Sequence, residues 1–221
     1  TKAISILIKQ LPIVSFDVDA GLNICQNSEV TYTTQSGKSN YQWIPTGSLN
    51  TEYVITNGGL GTTNNTVSLK WLTTGSKTMQ VNYTDVNSCT AATNQNTTGT
   101  VNALPTVTIT KAETSGTANN DATICKGATI TLSGGGASTY SWTGGISDGV
   151  IFSPTTTTTY TLMGTDINSC SNTLSQTVSV NVLPAKPAVT SPAICEGQTA
   201  TITAPSGVYT YTWTAPTGVA T

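Results

Sequence analysis

Asn23-Ile24-Cys25-Gln26-Asn27-Ser28-Glu29-Val30-Thr31-Tyr32 decides the fold, because the chain writes this stretch three times. It returns as Thr123-Ile124-Cys125-Lys126-Gly127-Ala128-Thr129-Ile130-Thr131-Leu132 and as Ala193-Ile194-Cys195-Glu196-Gly197-Gln198-Thr199-Ala200-Thr201-Ile202. An aromatic-x-Trp follows each copy: Tyr41-Gln42-Trp43, Tyr140-Ser141-Trp142 and Tyr211-Thr212-Trp213, with Cys-to-Trp offsets of 18, 17 and 18. Thr84-Asp85-Val86-Asn87-Ser88-Cys89 matches Thr165-Asp166-Ile167-Asn168-Ser169-Cys170. Leu-Pro recurs at Leu11-Pro12, Leu104-Pro105 and Leu183-Pro184, at intervals of 93 and 79 residues. A repeat of this length is one small domain, so the chain reads as an array. Complete units are expected at 12–104 and 105–183. Residues 1–11 are expected to be the last strand of a preceding unit, and 184–221 the first strands of a following one, cut after its Trp.

Within a unit the apolar residues alternate. Val107 and Ile109 share one face, as do Ile130 and Leu132; Val178, Val180 and Val182 are expected to be buried together; Tyr209, Tyr211 and Trp213 face one way and Thr the other. A two-residue period marks half-buried antiparallel strands. Gly, Asn, Ser and Pro clusters such as Ser133-Gly134-Gly135-Gly136 separate the runs. No segment carries a helical period. The expectation is all-β: tandem immunoglobulin-like antiparallel sandwiches in a linear array. Strand A follows each Leu-Pro, B starts about four residues after the first Cys, C carries the aromatic-x-Trp, F ends at Thr-Asp-x-Asn-Ser-Cys and G runs to the next Leu-Pro. Trp43, Trp71, Trp142 and Trp213 are expected in the cores; a sugar-stacking platform is the functional alternative. Asn27 stands where the other copies have Gly127 and Gly197, so its turn is expected to differ.

Composition removes several classes of chemistry. The chain of 221 residues has no His, its eight basic residues are all Lys, charged residues are 8 % and Thr numbers 47. Thr, Val and Ile favour strands because branched side chains pack on a pleated surface. A net charge of −2 gives nothing to neutralise phosphates, so no nucleic acid partner is expected. No apolar run approaches a membrane span, so no membrane insertion is expected. Without His neither a Ser–His–Asp nor a Cys–His site can form within this chain. No Cys-x-x-Cys is present for zinc, and Gly134-Gly135-Gly136 lacks the Lys-Ser/Thr of a phosphate loop. No cofactor is expected. Asp17 and Asp19 are weak calcium candidates against the plain reading of a solvated strand edge; Asp85 and Asp166 read as turn residues.

Five cysteines at recurrent positions point to an oxidising, extracellular setting. Cys125 precedes strand B and Cys170 follows strand F, at opposite ends of a sandwich. A strand of about eight residues spans roughly 26 Å, whereas bridged Cα atoms lie within about 7 Å. Pairing inside a unit, Cys25–Cys89 and Cys125–Cys170, therefore requires the first Cys to run well down a split A strand. Staggered pairing between units, Cys25–Cys170, fits because the exit end of one unit faces the entry end of the next. Cys89 would then bond backwards, and Cys125 and Cys195 forwards, to units not present here. Free thiols are the third reading.

Phe152-Ser153-Pro154, the five Thr at 155–159, and Tyr160-Thr161-Leu162-Met163-Gly164-Thr165-Asp166-Ile167-Asn168-Ser169-Cys170 resemble the Ig-like repeats of Bacteroidota surface proteins. Residues 12–104, with Val67-Ser68-Leu69-Lys70-Trp71, the Gly75 turn and a Trp-to-Cys interval of 46 against 28, resemble the related PKD-like repeats. The resemblance implies type IX secretion, display at the cell surface and a non-enzymatic stalk or adhesive filament, as in gliding-motility adhesins. Partners would be neighbouring modules, with polysaccharide or abiotic surfaces as targets of the Thr-rich faces. The alternatives are spacer or carbohydrate-binding modules of a secreted polysaccharide-degrading enzyme, and an assembly subunit in which 1–11 donates a strand.

Overall fold

The computed structural model describes residues 4–61, 63–116, 118–184, 193–195, 197–203, 210 and 212. Every regular element among them is a strand. The first sandwich contains β1 (Phe16–Val18), β2 (Asn23–Cys25), β3 (Glu29–Thr34), β4 (Ser39–Pro45), β5 (Tyr53–Asn57), β6 (Thr66–Trp71), β7 (Gly75–Thr84) and β8 (Gln95–Asn102). Its sheets run β1-β3-β6-β5 and β2-β8-β7-β4. The second contains β9 (Thr108–Ala112), β10 (Thr123–Cys125), β11 (Ile130–Gly135), β12 (Thr139–Trp142), β13 (Ile151–Phe152), β14 (Thr158–Thr165) and β15 (Ser171–Asn181). Its sheets run β9-β11-β13 and β10-β15-β14-β12.

In strand letters, the first sandwich is A-B-E-D over A′-G-F-C, and the second lacks D. The A strand is split in both. In the first, Asp19 Oδ1 accepts the Gly21 N–H at 3.0 Å, and Gly21 takes a left-handed φ of 72°. The chain thereby leaves β3 and crosses to β8. In the second, the buried Glu113 organises a longer crossing, accepting the N–H groups of Ser115 and Asp121 at 3.0 and 2.9 Å. After each crossing A′ pairs parallel with G, β2 with β8 and β10 with β15. The sandwiches are therefore antiparallel except along this seam.

Alternation fills the first core. Tyr32, Tyr41, Trp43, Tyr53, Val67, Leu69, Trp71, Met79, Val81 and Tyr83 are all buried there. Tyr53 meets Trp71 edge-on at 5.8 Å, and Tyr41 meets Tyr83 at 6.0 Å, the geometry ring quadrupoles prefer. Both buried indoles find acceptors: Trp43 Nε1 donates to the Asn64 carbonyl at 2.9 Å, Trp71 Nε1 to the Tyr32 hydroxyl at 3.3 Å. Burial pushes the Tyr32 phenol above its ordinary pKa. The second core is smaller, built on Ile124, Ile130, Leu132, Tyr160 and Val178. In both modules the Tyr of aromatic-x-Trp ties down the B–C turn: Tyr41 O–H donates to Gln35 O at 2.9 Å, and Tyr140 O–H to Ala137 O at 2.7 Å. Gly136 is required beside that turn, because its φ is 81° and a Cβ would overlap the Thr106 carbonyl.

Three expectations need correction. Trp142 is not enclosed. It lies half-buried against the second core, its Nε1 donating to Asp148 Oδ1 at 2.9 Å, since the D strand that would widen the opposite sheet is missing. Val178 is buried but Val180 only partly, and Val182, one residue past the end of β15, is 80 % exposed. Residues 4–11, expected as the last strand of a preceding unit, pair with no described strand and lie exposed, with Ile4, Ile6, Leu7 and Ile8 all in solvent; a strand needs a neighbour for its N–H and C=O groups, and a preceding unit's strands would supply it. The Asn27 turn is unchanged, with φ 64° against 91° at Gly127 and 82° at Gly197; Asn tolerates the left-handed region better than most residues. Trp213 and most of 184–221 lie outside the described residues, and the described part of that stretch holds no strand.

Candidate functional site: the inter-module joint and the hydroxyl faces

The joint is assembled from two local motifs. In the F–G hairpin of the second sandwich, Asp166 Oδ1 accepts the N–H groups of Asn168 and Cys170, both at 2.9 Å, with Ser169 left-handed at φ 65°. The first sandwich repeats it: Asp85 Oδ1 accepts from Asn87 and Cys89 at 2.8 and 3.0 Å, with Ser88 at φ 63°. Asp is chosen here because its short carboxylate reaches backbone donors two and four residues on. The Cys89 N–H holds the Asp85 carboxyl below the usual carboxylate range.

At the other end of each sandwich, Cys25 sits at the end of β2 opposite Asn102, and Cys125 at the end of β10 opposite Asn181. The following residue bonds across the seam in each case, Gln26 N–H to Asn102 O at 2.9 Å and Lys126 N–H to Asn181 O at 2.8 Å. The parallel A′–G pairing thus places the corner cysteine beside the exit of strand G, which in the first sandwich leads into the second.

Cys25 is bonded to Cys170, with S–S 2.03 Å and Cα–Cα 5.4 Å. This is the staggered pairing. The intra-module bonds Cys25–Cys89 and Cys125–Cys170 are absent, and Cys89, Cys125 and Cys195 are free. Cys25 lies level with the end of β8 whereas Cys89 precedes its start, so the length of that strand separates them. The bonded Cys170 is fully buried. Beside it, Asn172 Nδ2 donates to the Pro105 carbonyl at 3.1 Å, tying the hairpin to the entry segment.

The outer faces carry hydroxyl pairs in place of ion pairs. Thr78 meets Thr98, and Thr159 meets Thr177, at 2.8 Å; Thr161 meets Ser175 at 2.9 Å and Thr165 meets Ser171 at 2.8 Å. Among the described residues the one salt bridge is Lys77–Glu52 at 3.3 Å. Asp17 is exposed on β1, and Asp19 accepts a hydroxyl from Thr97 besides its turn bond. No group of three His, Cys, Asp or Glu that could hold a metal occurs among the described residues, and no described helix is long and apolar enough to cross a membrane. Sequence reasoning missed the Glu113 crossing and the Asp148 clamp on Trp142. Neither belongs to a repeated motif, so nothing in the recurrence pointed to them.

Strand order, split A strands and Greek-key connections define an all-β fold of immunoglobulin-like sandwiches. Neither a protein-family model nor a curated protein matches this sequence. Solved structures similar to it include fibronectin(III)-like modules of Clostridium thermocellum CbhA, at 11 % identity and TM-score 0.36, covering 77 % of this chain and 95 % of that one. A C-terminal fragment of intimin, in complex with the intimin-binding domain of the translocated intimin receptor, is 14 % identical with TM-score 0.41, covering 77 % and 64 %. Domains 5–6 of the S-layer protein SbsC are 13 % identical with TM-score 0.28, covering 80 % and 99 %. The fold assignment rests on the strand order above, and nothing about function is taken from these likenesses.

Proposed function

We propose that the chain is a non-enzymatic structural segment of a secreted surface protein, in which sandwiches stapled end to end form a stiff stalk. The observation that carries this reading is the Cys25–Cys170 bond, which ties the corner of one sandwich to the hairpin of the next. A joint held by the peptide link alone leaves two domains free to reorient; a second covalent link removes most of that freedom. The low charge and the paired hydroxyls suit an extracellular filament that meets its surroundings through many weak contacts. The parent in this reading is a type IX-secreted adhesin of the gliding kind. Small-angle scattering tests it: reduction, or Cys25→Ser with Cys170→Ser, is expected to broaden the distribution of overall dimensions while leaving the β circular dichroism unchanged. Identical scattering from the bridged and unbridged proteins would refute it.

A second reading, carbohydrate recognition as part of a secreted hydrolase, is favoured by one feature, the half-exposed Trp142 on edge strand β12. It predicts retention on insoluble polysaccharide that Trp142→Ala abolishes, and equal retention of both proteins counts against it.

A further inference from the structure

Two cysteines without a bond repeat the surroundings of the two that have one. Cys89 shares with Cys170 the aspartate-capped hairpin and the left-handed Ser before it; the Asp85 N–H bonds to Cys89 O at 2.9 Å, as the Asp166 N–H does to Cys170 O. Cys125 shares with Cys25 the last position of a parallel A′ strand, and the third residue beyond closes the same turn, Ala128 N–H to Cys125 O at 2.9 Å and Ser28 N–H to Cys25 O at 3.1 Å. Cys89 and Cys125 are only partly exposed and free. Among the described residues, the first sandwich therefore presents an unbonded hairpin end like the one already docked, and the second an unbonded corner like the one already filled. Beside the unused hairpin, Ala91 takes the place of Asn172. There a cavity of about 510 Å³ opens between Leu11, Pro12, Ile13 and Ala91, Ala92, space for side chains of an abutting module.

We propose that both ends are docking and bonding sites for another sandwich of this kind, seated as the second is seated on the first. Cys89 takes a corner cysteine and Cys125 a hairpin cysteine. This rests on the stalk reading and turns its single staple into a propagating one. The bond forms by exchange with a small-molecule disulfide. One protein thiolate attacks it and releases one small thiol; the second protein thiolate then displaces the other. The two protein thiols lose two protons and two electrons, and the small disulfide gains them.

A second copy of the chain serves as the probe. Cys195→Ser is placed throughout, and Cys89→Ser protein is mixed with Cys125→Ser protein in oxidised glutathione. The expected product is the mixed dimer bonded Cys125 to Cys89, about tenfold over either like dimer, the ratio set by a docking preference near 1.4 kcal/mol. Peptide mapping of the Cys195→Ser protein alone is expected to show the same bond between copies. Like and unlike dimers in random proportions, or no Cys89–Cys125 bond, overturn the proposal. The same maps report Cys25–Cys170 separately, so loss of that bond would count against the stalk reading instead.

Discussion

Trp43 and Trp142 hold the same place in the repeat and meet different fates. Trp43 is enclosed and hydrogen-bonded to Asn64, whereas Trp142 lies half in solvent against Asp148. Trp43→Ala is expected to destabilise the first module by about 3–5 kcal/mol, the usual range for emptying an aromatic core site. Trp142→Ala is expected to cost the second module less, and urea unfolding of both variants gives the comparison. Asp85 makes a pH prediction. Its folded pKa lies below the ordinary value of 3.8, so its contribution is complete above that value and is lost as pH falls through the lower one. The protection of the Cys89 amide, taken relative to its intrinsic exchange rate at the same pH, should then fall as the pH drops through that lowered value; an Asp85→Asn protein should show no such step. The turn roles of Asp85 and Asp166 were legible because an Asx turn is local, complete within five residues. The exposure of Trp142 was not, because it depends on the width of the sheet across the core.

The split A strand is the element that organises each module. It was foreseen only as a condition for pairing inside a module, and the structure uses it for pairing between modules. Its two crossings are built differently, by a Gly after Asp19 in one case and by Glu113 in the other. Glu113→Ala leaves the Ser115 and Asp121 N–H groups without their acceptor, and a loss of about 1–3 kcal/mol is expected, measurable in chemical denaturation; Asp19→Ala, on an exposed turn, should cost less. Strands B, C, F and G fell where Cys, Trp and the Thr-Asp-x-Asn-Ser-Cys motif placed them, since alternation and turn residues are read within one segment. Residues 4–11 pair with no described strand for the opposite reason: apolar β-formers make a strand only beside a partner.

At the scale of the molecule the two cores are unequal. The first holds Tyr32, Tyr41, Trp43, Tyr53, Trp71 and Tyr83, while the second has Tyr160 as its one fully enclosed aromatic among the described residues. Differential scanning calorimetry of the reduced protein is expected to resolve two transitions, with the second module melting first; a single transition centred on the first module would contradict this. The joint had been legible as geometry, since the exit corner of one sandwich faces the entry hairpin of the next, but recurrence alone left three pairings open.

The position of that crosslink also decides what happens when the ends are pulled apart. The covalent path from the N-terminal segment enters β2, crosses at Cys25 to Cys170 and leaves along β15, bypassing the intervening chain over a sequence separation of 145. Tension applied at the termini runs through this shunt, so most of both sandwiches sits in a loop that a force cannot lengthen. In an atomic force microscope the oxidised chain should yield only its short outer segments. Reduction should release roughly 500 Å more contour, from a sequence separation of 145 at about 3.4 Å per residue. A tether wired in this way can lose a domain to thermal unfolding without growing longer.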